Sequence, residues 1–294
     1  MDAFTIKELE NLSGIKAHTI RVWEQRYSFL KPQRTNTNIR YYTNEELKTV
    51  LNIALLNKYG YKISHINRMR PDELTAKLIS LSNSQAQHER IINELLQHTV
   101  DMDIEKVEGT LNHFVSTKGI DKVIIQIIFP FLEKIGILWL ANHVHPAQEH
   151  LVTNIVRQKL IAGIEATSSP ATTSQTVLLY LPEGEYHELG ILYIYYLLKC
   201  KGIRVLYLGA NVPMKDLEFV ASVKKPDFVY THLTTVANNF NFEKFLHVLG
   251  TRFSCSSVIL SGQIVYNYKK KIPAGISVCR SLPDVMDLIS AIPC

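Results

Sequence analysis

The stretch Val177-Leu178-Leu179-Tyr180-Leu181 is an uninterrupted apolar run, and the loop Glu185-Tyr186-His187-Glu188-Leu189-Gly190 follows it. A short apolar run of this kind predicts a buried strand of a parallel sheet. Further β-rich runs alternate with helical segments toward the C-terminus, at Val205–Leu208, Phe228–Leu233, Ser257–Ser261 and Ile276–Val278. The alternation predicts a doubly wound, Rossmann-like parallel sheet with helices on both faces.

The loop with Glu185 and His187 is the predicted binding edge, because such sheets bind ligands at the carboxyl ends of their strands. Its first part, Leu181-Pro182-Glu183-Gly184-Glu185, lacks the glycines of a dinucleotide-binding turn. An imidazole with a carboxylate two residues away is suited to bind a metal, because the carboxylate fixes the tautomer and raises the basicity. A lone loop histidine that only caps a helix is the alternative.

The middle of the chain is helical by period. The spacing predicts a four-helix bundle with helices at about His88–Val100, Ile104–Lys118, Ile120–Leu138 and Pro146–Ala166. Trp139 ends the third helix, and Glu149 and His150 lie in the first turn of the fourth. Each residue alone fits an ordinary core position. The three together favour a ligand site, with Glu149 as an acceptor that faces a cavity.

Basic residues are concentrated at the N-terminus. Residues 1–70 hold 12 Lys/Arg against 6 Asp/Glu, which leaves 20 against 21 in the remainder. A basic head on a near-neutral body is typical of a DNA-binding domain attached to another module. Thr5-Ile6-Lys7-Glu8 is a capping box that opens a helix, Ser13-Gly14 is a turn, and a second helix spans Ala17 to Tyr27. The pattern predicts a helix-turn-helix, with an ordinary αα-hairpin as the alternative.

A polar hairpin follows and predicts a wing, with Arg34 and Arg40 placed for phosphate or minor-groove contacts. The segments Thr19–Tyr27, Leu30-x-Pro32-x-Arg34 and Asn38-Ile39-Arg40-Tyr41-Tyr42 resemble the MerR family of winged-helix regulators over residues 3–70. Trp23 is typical of the cobalamin-linked branch of that family. The resemblance implies a double-stranded DNA operator contacted by Arg21, Tyr27, Arg34, Arg40 and Tyr41, and the outer side of the second helix adds His18.

A second resemblance covers the C-terminal half. Glu185-x-His187-x-x-Gly190 is similar to the Asp/Glu-x-His-x-x-Gly loop of cobalamin-binding domains, in which the histidine coordinates cobalt from the lower face. Thr231-x-Leu233 stands where that family has Ser-x-Leu, and Ser261-Gly262 stands where it has Gly-Gly. In the family these residues leave room for the nucleotide tail of the cofactor, and Ser261 is the larger departure here.

The whole chain resembles the light-responsive MerR-type repressors that bind adenosylcobalamin. The resemblance implies that Trp139, Glu149 and His150 lie over the upper ligand, that the protein is a homo-oligomer (dimer or tetramer), and that light releases DNA. In light-sensing members a histidine directly after the tryptophan can cap the cobalt. Leu140 stands there in this chain, and His143 could substitute only if the helix continues.

The predicted domains are a winged helix over residues 1–71, a helix and linker over 72–87, a bundle over 88–168 and a cobalamin-binding domain over 175–294. A body without cobalamin, used for oligomerisation or partner binding, is one alternative, and a methyl-carrying enzyme is another. A regulator that is not an enzyme is the favoured function.

The compartment is predicted from the cysteines and from hydropathy. The spacing of Cys200, Cys255, Cys279 and Cys294 predicts reduced thiols in a cytosolic protein. No apolar run approaches the ~20 residues that span a bilayer. We therefore expect a cytoplasmic, nucleoid-associated protein without a membrane partner.

Overall fold

The computed structural model describes residues 4–141, 143–167, 173–235 and 240–292. The start of the predicted winged helix (residues 1–3), the end of the predicted bundle (residue 168) and Cys294 lie outside these ranges. The chain forms two compact units, Met1–Ile155 and Val156–Cys294. Each unit is described by itself.

The first unit opens with the helices α1 (Ile6–Ser13) and α2 (Ala17–Arg26). The capping box at the start of α1 is present, with the Glu8 carboxylate accepting a hydrogen bond from Thr5 N at 2.6 Å. Gly14 ends α1 with φ 74°, a left-handed conformation that favours glycine. A hairpin of β1 (Gln33–Arg34) and β2 (Arg40–Tyr41) follows. The predicted helix-turn-helix and wing are therefore confirmed.

Three helices follow the wing: α3 (Asn44–Lys58), α4 (Ile63–Ile66) and α5 (Pro71–Ile79). Thr43 caps α3 in a second capping box. Helix α4 begins at Ile63, and Lys62 is its N-cap. A buried cluster that includes Trp23 and Leu56 closes this part of the unit.

The bundle region contains α6 (Ser84–Val100), α7 (Ile104–Lys118), α8 (Ile120–Val123), a π-helical turn (Ile124–Ile128), α9 (Phe129–Leu140) and α10 (Pro146–Ala166). Helix α6 begins at Ser84, four residues before the predicted start at His88. The side chain of Asn83 accepts hydrogen bonds from Gln85 N and Ala86 N, at 2.8 and 3.3 Å, so α6 starts there. Helix α10 runs from the first unit into the second.

The continuous helix Ile120–Leu140 is long and apolar enough to cross a membrane, which corrects the expectation that no such run exists. Ile127, Phe131 and Ile135 are buried within the first unit, and the helix packs against α6. Lys134 on the same helix donates a hydrogen bond to Asn93 of α6 at 3.2 Å. These contacts are those of a core helix of a bundle.

The second unit holds a five-stranded parallel sheet in the order β4-β3-β5-β6-β7. The strands are β3 (Thr176–Tyr180), β4 (Arg204–Tyr207), β5 (Phe228–His232), β6 (Ser257–Ser261) and β7 (Ile276–Cys279). The helices are α11 (Glu188–Cys200), α12 (Met214–Lys224), α13 (Phe242–Arg252), α14 (Gln263–Asn267) and α15 (Leu282–Ala291). The sheet order reverses between β3 and β5, so the loops after these two strands flank the switch point where ligands bind.

Candidate functional site

The loop after β3 is organised around the carboxylate of Glu185, which is fully buried. Its Oε1 accepts hydrogen bonds from Tyr186 N and His187 N, both at 2.9 Å, and lies 2.6 Å from His187 Nδ1. Its Oε2 accepts from the backbone amides of Thr234 and Thr235, at 2.7 and 2.8 Å. Those two residues follow β5, so one side chain ties together the loops on both sides of the switch point.

The electrostatics of this pair determine which nitrogen of His187 is suited to a metal. Burial raises the pKa of Glu185, but the hydrogen bonds from His187, Thr235 and Thr234 outweigh it and the net pKa is lowered. An ionised carboxylate requires a donor at Nδ1, so the lone pair of the neutral ring lies on Nε2. The His187 side chain is 55% exposed. In this arrangement a buried carboxylate fixes the orientation of the His187 imidazole.

Asn211, in the turn after β4, braces the same loop. Its side chain accepts a hydrogen bond from Gly184 N at 3.0 Å, and its backbone N–H donates to Glu185 O at 3.1 Å. Asn211 has φ 56°, a left-handed conformation that asparagine tolerates. The sequence signal for Asn211 is its place in Leu208–Pro213, which resembles the strand-to-helix turn of cobalamin-binding domains.

The carboxyl ends of β5 and β6 place three polar residues on the α11 side of the sheet. His232 is opposite Ser261 in the register, and its Nδ1 lies 2.8 Å from Ser261 Oγ. Tyr230, on the same side, donates to Ser261 Oγ at 2.7 Å. The His232 ring also lies against Gly190 in the first turn of α11. Burial lowers the pKa of His232 to about 4, so the ring is neutral at physiological pH.

Thr231 and Leu233 lie on the other face of the sheet, because side chains alternate along a strand. Leu233 packs there with Tyr180 and Leu260. The hydroxyls of Tyr180 and Thr231 are buried, and within the described residues neither has a hydrogen-bond partner. The sequence analysis grouped Thr231 with Ser261 and missed His232, whereas the structure brings His232 and Ser261 together.

Glycine is the residue that fits at position 262, because the backbone of Leu233 leaves no room for a side chain. It has φ 103°, and a Cβ at this position would overlap the backbone of Leu233, with the carbonyl carbon at 2.7 Å. Leu233 N donates to Ser261 O at 2.8 Å, which holds the two loops together. A single glycine after β6 therefore satisfies the close approach of these backbones.

In the bundle region, Trp139 is 47% exposed and Leu140 is 77% exposed at the end of α9. Glu149 and His150 lie in the first turn of α10, with His150 Nδ1 at 3.1 Å from Glu149 Oε2. The His150 side chain is 73% exposed. Neither Trp139 nor His150 is an ordinary core residue.

His143 is held by the winged helix. Helix α9 ends at Leu140, so the condition under which His143 could take the place of a histidine after Trp139 is not met. Its Nε2 lies 2.9 Å from Glu8 Oε2, and its ring stacks on Phe4 with centroids 4.0 Å apart. The side chain is nearly buried, so a role at a ligand would require both contacts to break.

The outer side of α2 carries two of the predicted DNA contacts, His18 and Arg21, and both are exposed. Tyr27, directly after α2, is partly buried and stacks on Phe29 with ring centroids 5.6 Å apart. An exposed second helix of a helix-turn-helix is the element that enters the major groove. Of these residues, His18 and Arg21 have the exposure that a base or phosphate contact requires.

The wing residues are positioned by hydrogen bonds. Arg34 donates to the Asn38 side chain at 2.7 Å across the hairpin, and the Tyr41 hydroxyl donates to the Gln33 side chain. Arg40 Nε donates to Glu24 Oε2 at 3.0 Å. Glu24 also accepts a hydrogen bond from the hydroxyl of the buried Tyr42. The sequence analysis missed Glu24, which fixes the wing to α2.

Two family models match the chain. The model described as MerR HTH family regulatory protein matches residues 4–73. The model described as B12 binding domain matches residues 91–162. The first match covers the winged helix, and the second covers most of the bundle region.

Curated relatives share this organisation. The HTH-type transcriptional repressor CarH of Myxococcus xanthus is 31% identical over 241 residues, which are 80% of this chain and 79% of the relative. CarA of the same organism, also an HTH-type transcriptional repressor, is 28% identical over 76% of this chain and 74% of its own length. Trimethylamine corrinoid protein 2 of Methanosarcina acetivorans is 29% identical over 51% of this chain and 69% of the relative.

Among solved structures, the monomethylamine corrinoid protein of Methanosarcina barkeri superimposes with a TM-score of 0.56. The superposition covers 68% of this chain and 97% of that protein, at 11% sequence identity. At this identity the likeness shows the fold alone. It confirms the predicted fold class.

Proposed function

Because the chain belongs to the MerR-type transcriptional regulators that carry a cobalamin-binding region, we propose that a corrinoid held at His187 sets the affinity of the winged helix for a DNA operator. The chain is a cobalamin-controlled transcriptional regulator. The observation that carries the proposal is the buried Glu185 carboxylate, which accepts a hydrogen bond from His187 and orients its ring.

The residues around this pair fit a cobalt-centred cofactor. His187 would be the lower cobalt ligand through Nε2, as in the cobalamin-binding loops that it resembles, and Glu185 would set its tautomer. Gly190, Ser261 and Gly262 would lie beside the lower tail of the cofactor, and Leu233 would fix the turn at Gly262. Thr231 would contribute to binding of the tail through its buried hydroxyl, which lies on the opposite face of the sheet.

For the upper face we propose contacts from Trp139, Glu149 and His150, which are exposed or partly exposed. We propose adenosylcobalamin as the form that is bound, since it supplies a cobalt–carbon bond that light can break. In that case Leu140 would border the upper ligand without coordinating cobalt. Light would then act through loss of the upper group, without a bundle histidine taking its place.

On the DNA side we propose that His18, Arg21 and Tyr27 face the major groove, and that Arg34, Arg40 and Tyr41 contact the backbone or minor groove from the wing. Helix-turn-helix readers bind palindromic sites as dimers, so the regulator would act as a homo-oligomer, a dimer or tetramer. Repression would be its output, and the cytoplasm, in association with the nucleoid, its location. The proposal includes no catalytic step.

The experiment combines gel filtration with absorption spectroscopy. Purified full-length protein is mixed with adenosylcobalamin in the dark, separated from free cofactor, and measured before and after green illumination. We expect corrin absorbance to co-elute with the protein and light to change both the spectrum and binding to operator DNA. His187→Ala should lose the bound corrin, whereas His247→Ala, an exposed histidine of α13, should keep it.

A colourless wild-type protein peak would refute corrinoid binding and leave a DNA-binding regulator with a cobalamin-free body. A coloured complex whose DNA binding is unchanged by light would refute light sensing alone. Transfer of a methyl group from methylated cofactor to a thiol would favour a methyl-carrying enzyme instead.

A further inference from the structure

We propose that His232 selects among corrinoids, so that the chain binds those without a lower nucleotide tail more tightly than complete cobalamin. The inference deepens the proposed function and rests on it. The space in question lies next to the His187 loop, between the first turn of α11 and the carboxyl ends of β5 and β6.

The ring of His232 lies at the carboxyl end of β5. His232 is the last residue of β5, and it faces α11 from the same side of the sheet as Tyr230. Its Nδ1 lies 2.8 Å from Ser261 Oγ, which also accepts the hydrogen bond from Tyr230 at 2.7 Å. Three side chains thus form one hydrogen-bonded network at the carboxyl ends of β5 and β6.

The ring occupies space next to Gly190. A Cβ added to Gly190 would lie 2.5 Å from Cδ2 and 3.0 Å from Cε1 of His232. Non-bonded carbon atoms are optimally 3.5–4.0 Å apart. The ring therefore fills the volume that the missing side chain of Gly190 leaves, and no planar heterocycle can lie between Gly190 and His232 as they stand.

Cobalamin carries a nucleotide tail that ends in a benzimidazole, and when a protein histidine coordinates cobalt from below, that base must be placed elsewhere. Cobinamide has the same corrin ring without the nucleotide. Entry of the tail beside Gly190 would require the His232 ring to rotate and lose its hydrogen bond with Ser261. Cobinamide requires no such movement.

The size of the effect follows from that hydrogen bond. A hydrogen bond of ordinary net strength corresponds to roughly two- to tenfold in affinity. We therefore expect the dissociation constant of wild-type protein for cobalamin to exceed that for cobinamide by up to about tenfold. His232→Ala should tighten cobalamin binding by a similar factor and leave cobinamide binding unchanged.

The test titrates the full chain with aquocobalamin and with diaquocobinamide, by calorimetry and by corrin absorption. Wild type, His232→Ala and His232→Ser are compared, with His247→Ala as a control on the exposed side of α13. The serine variant keeps a polar group near Ser261 if the alanine variant does not fold, and circular dichroism checks folding. The change in the ratio of the two dissociation constants between wild type and a folded variant decides the question, because the benzimidazole must leave cobalt in every variant.

Tighter binding of cobinamide by wild type, together with a smaller ratio in a folded His232 variant, supports the proposal. Wild-type binding of cobalamin at least as tight as that of cobinamide overturns it while leaving the proposed function intact. An unchanged ratio in a folded His232 variant also overturns it. If wild type binds neither corrinoid, the proposed function fails and this inference fails with it.

Discussion

Replacing Glu185 by Gln tests whether the buried carboxylate organises the site. In the wild-type protein its two oxygens accept hydrogen bonds from four backbone amides and from the His187 ring. Glutamine keeps nearly the same shape but replaces one acceptor oxygen with an NH2 group. Whichever way the amide turns, that NH2 group faces donors, so at least two hydrogen bonds are lost.

The magnitude can be worked from those bonds. Each hydrogen bond to a charged acceptor contributes about 1.5–3 kcal/mol, so the loss of two lowers the free energy of unfolding by about 3 kcal/mol or more. A domain stable by roughly 5–15 kcal/mol can remain folded after such a loss. Loss of a second-shell partner of a metal-bound histidine typically lowers metal affinity by about 10–100-fold. We expect a corrinoid affinity loss in that range.

The assay measures both quantities on the same variants. Calorimetry gives the dissociation constant for aquocobalamin, and urea denaturation gives the free energy of unfolding. Glu183→Gln is the matched control, because Glu183 is exposed in the same loop. Glu185→Asp keeps the charge on a shorter side chain and should retain more affinity than Glu185→Gln.

A Glu185→Gln variant that binds aquocobalamin as tightly as wild type would refute the orienting role of Glu185. So would equal losses of affinity in Glu183→Gln and Glu185→Gln, since the effect would then come from loop charge alone. A variant that is destabilised but binds normally would leave Glu185 with a purely structural role.

Three further predictions concern the first unit. Arg21→Ala should weaken operator binding and, if Arg21 contacts phosphate, reduce the slope of log affinity against log salt by about 1, measured by fluorescence anisotropy. Glu24→Ala should lower the free energy of unfolding by about 1–3 kcal/mol in urea denaturation, because the hydroxyl of the buried Tyr42 loses its partner. Burial raises the pKa of Glu8, but hydrogen bonds from the Thr5 backbone and His143 outweigh it and the net pKa is lowered. The stability from Glu8 is therefore complete above its ordinary pKa of 4.5 and lost as pH falls through the lowered value, so Glu8→Gln should flatten the acid limb of a stability–pH curve.

Matched controls exist for the Arg21 and Glu24 variants. Lys224→Ala removes an exposed charge from the second unit and should leave the salt slope unchanged. Glu45→Ala removes an exposed carboxylate from the first turn of α3 and should change stability by less than Glu24→Ala. An Arg21 variant with wild-type affinity, or a Glu8 variant with the wild-type acid limb, would contradict the corresponding prediction.

The strands of the second unit could be predicted because apolar runs bounded by turns are local signals. Ser257–Ser261 is a strand over the predicted residues, and β3 (Thr176–Tyr180) contains all but the last residue of the apolar run Val177–Leu181. The Glu185–His187 pair could be predicted as a local motif, since the two residues are close in the chain. Its full set of donors could not, because Thr234 and Thr235 reach Glu185 only through the pairing of β3 with β5.

The contacts of His232 depend on strand register, which the sequence does not state. A shift of one residue moves a side chain to the other face of the sheet. Thr231 could be matched to the serine of the family motif from the sequence, but only the register shows that His232 is the residue opposite Ser261. Similarly, Glu24 is local to α2, but its two partners come from the wing, so its role appears only in the folded unit.

The contact of His143 with Glu8 joins residues that lie 135 positions apart in the chain. It places the turn after α9, four residues from Trp139, directly against α1 of the winged helix. Because Phe4 stacks on the same ring, a displacement of this turn would disturb both a hydrogen bond and a packed aromatic contact. The contacts of His143 therefore hold the turn after α9 against α1, the first helix of the DNA-binding element. The Glu8→Gln variant tests the Glu8–His143 hydrogen bond alone, because it leaves the Phe4 contact in place.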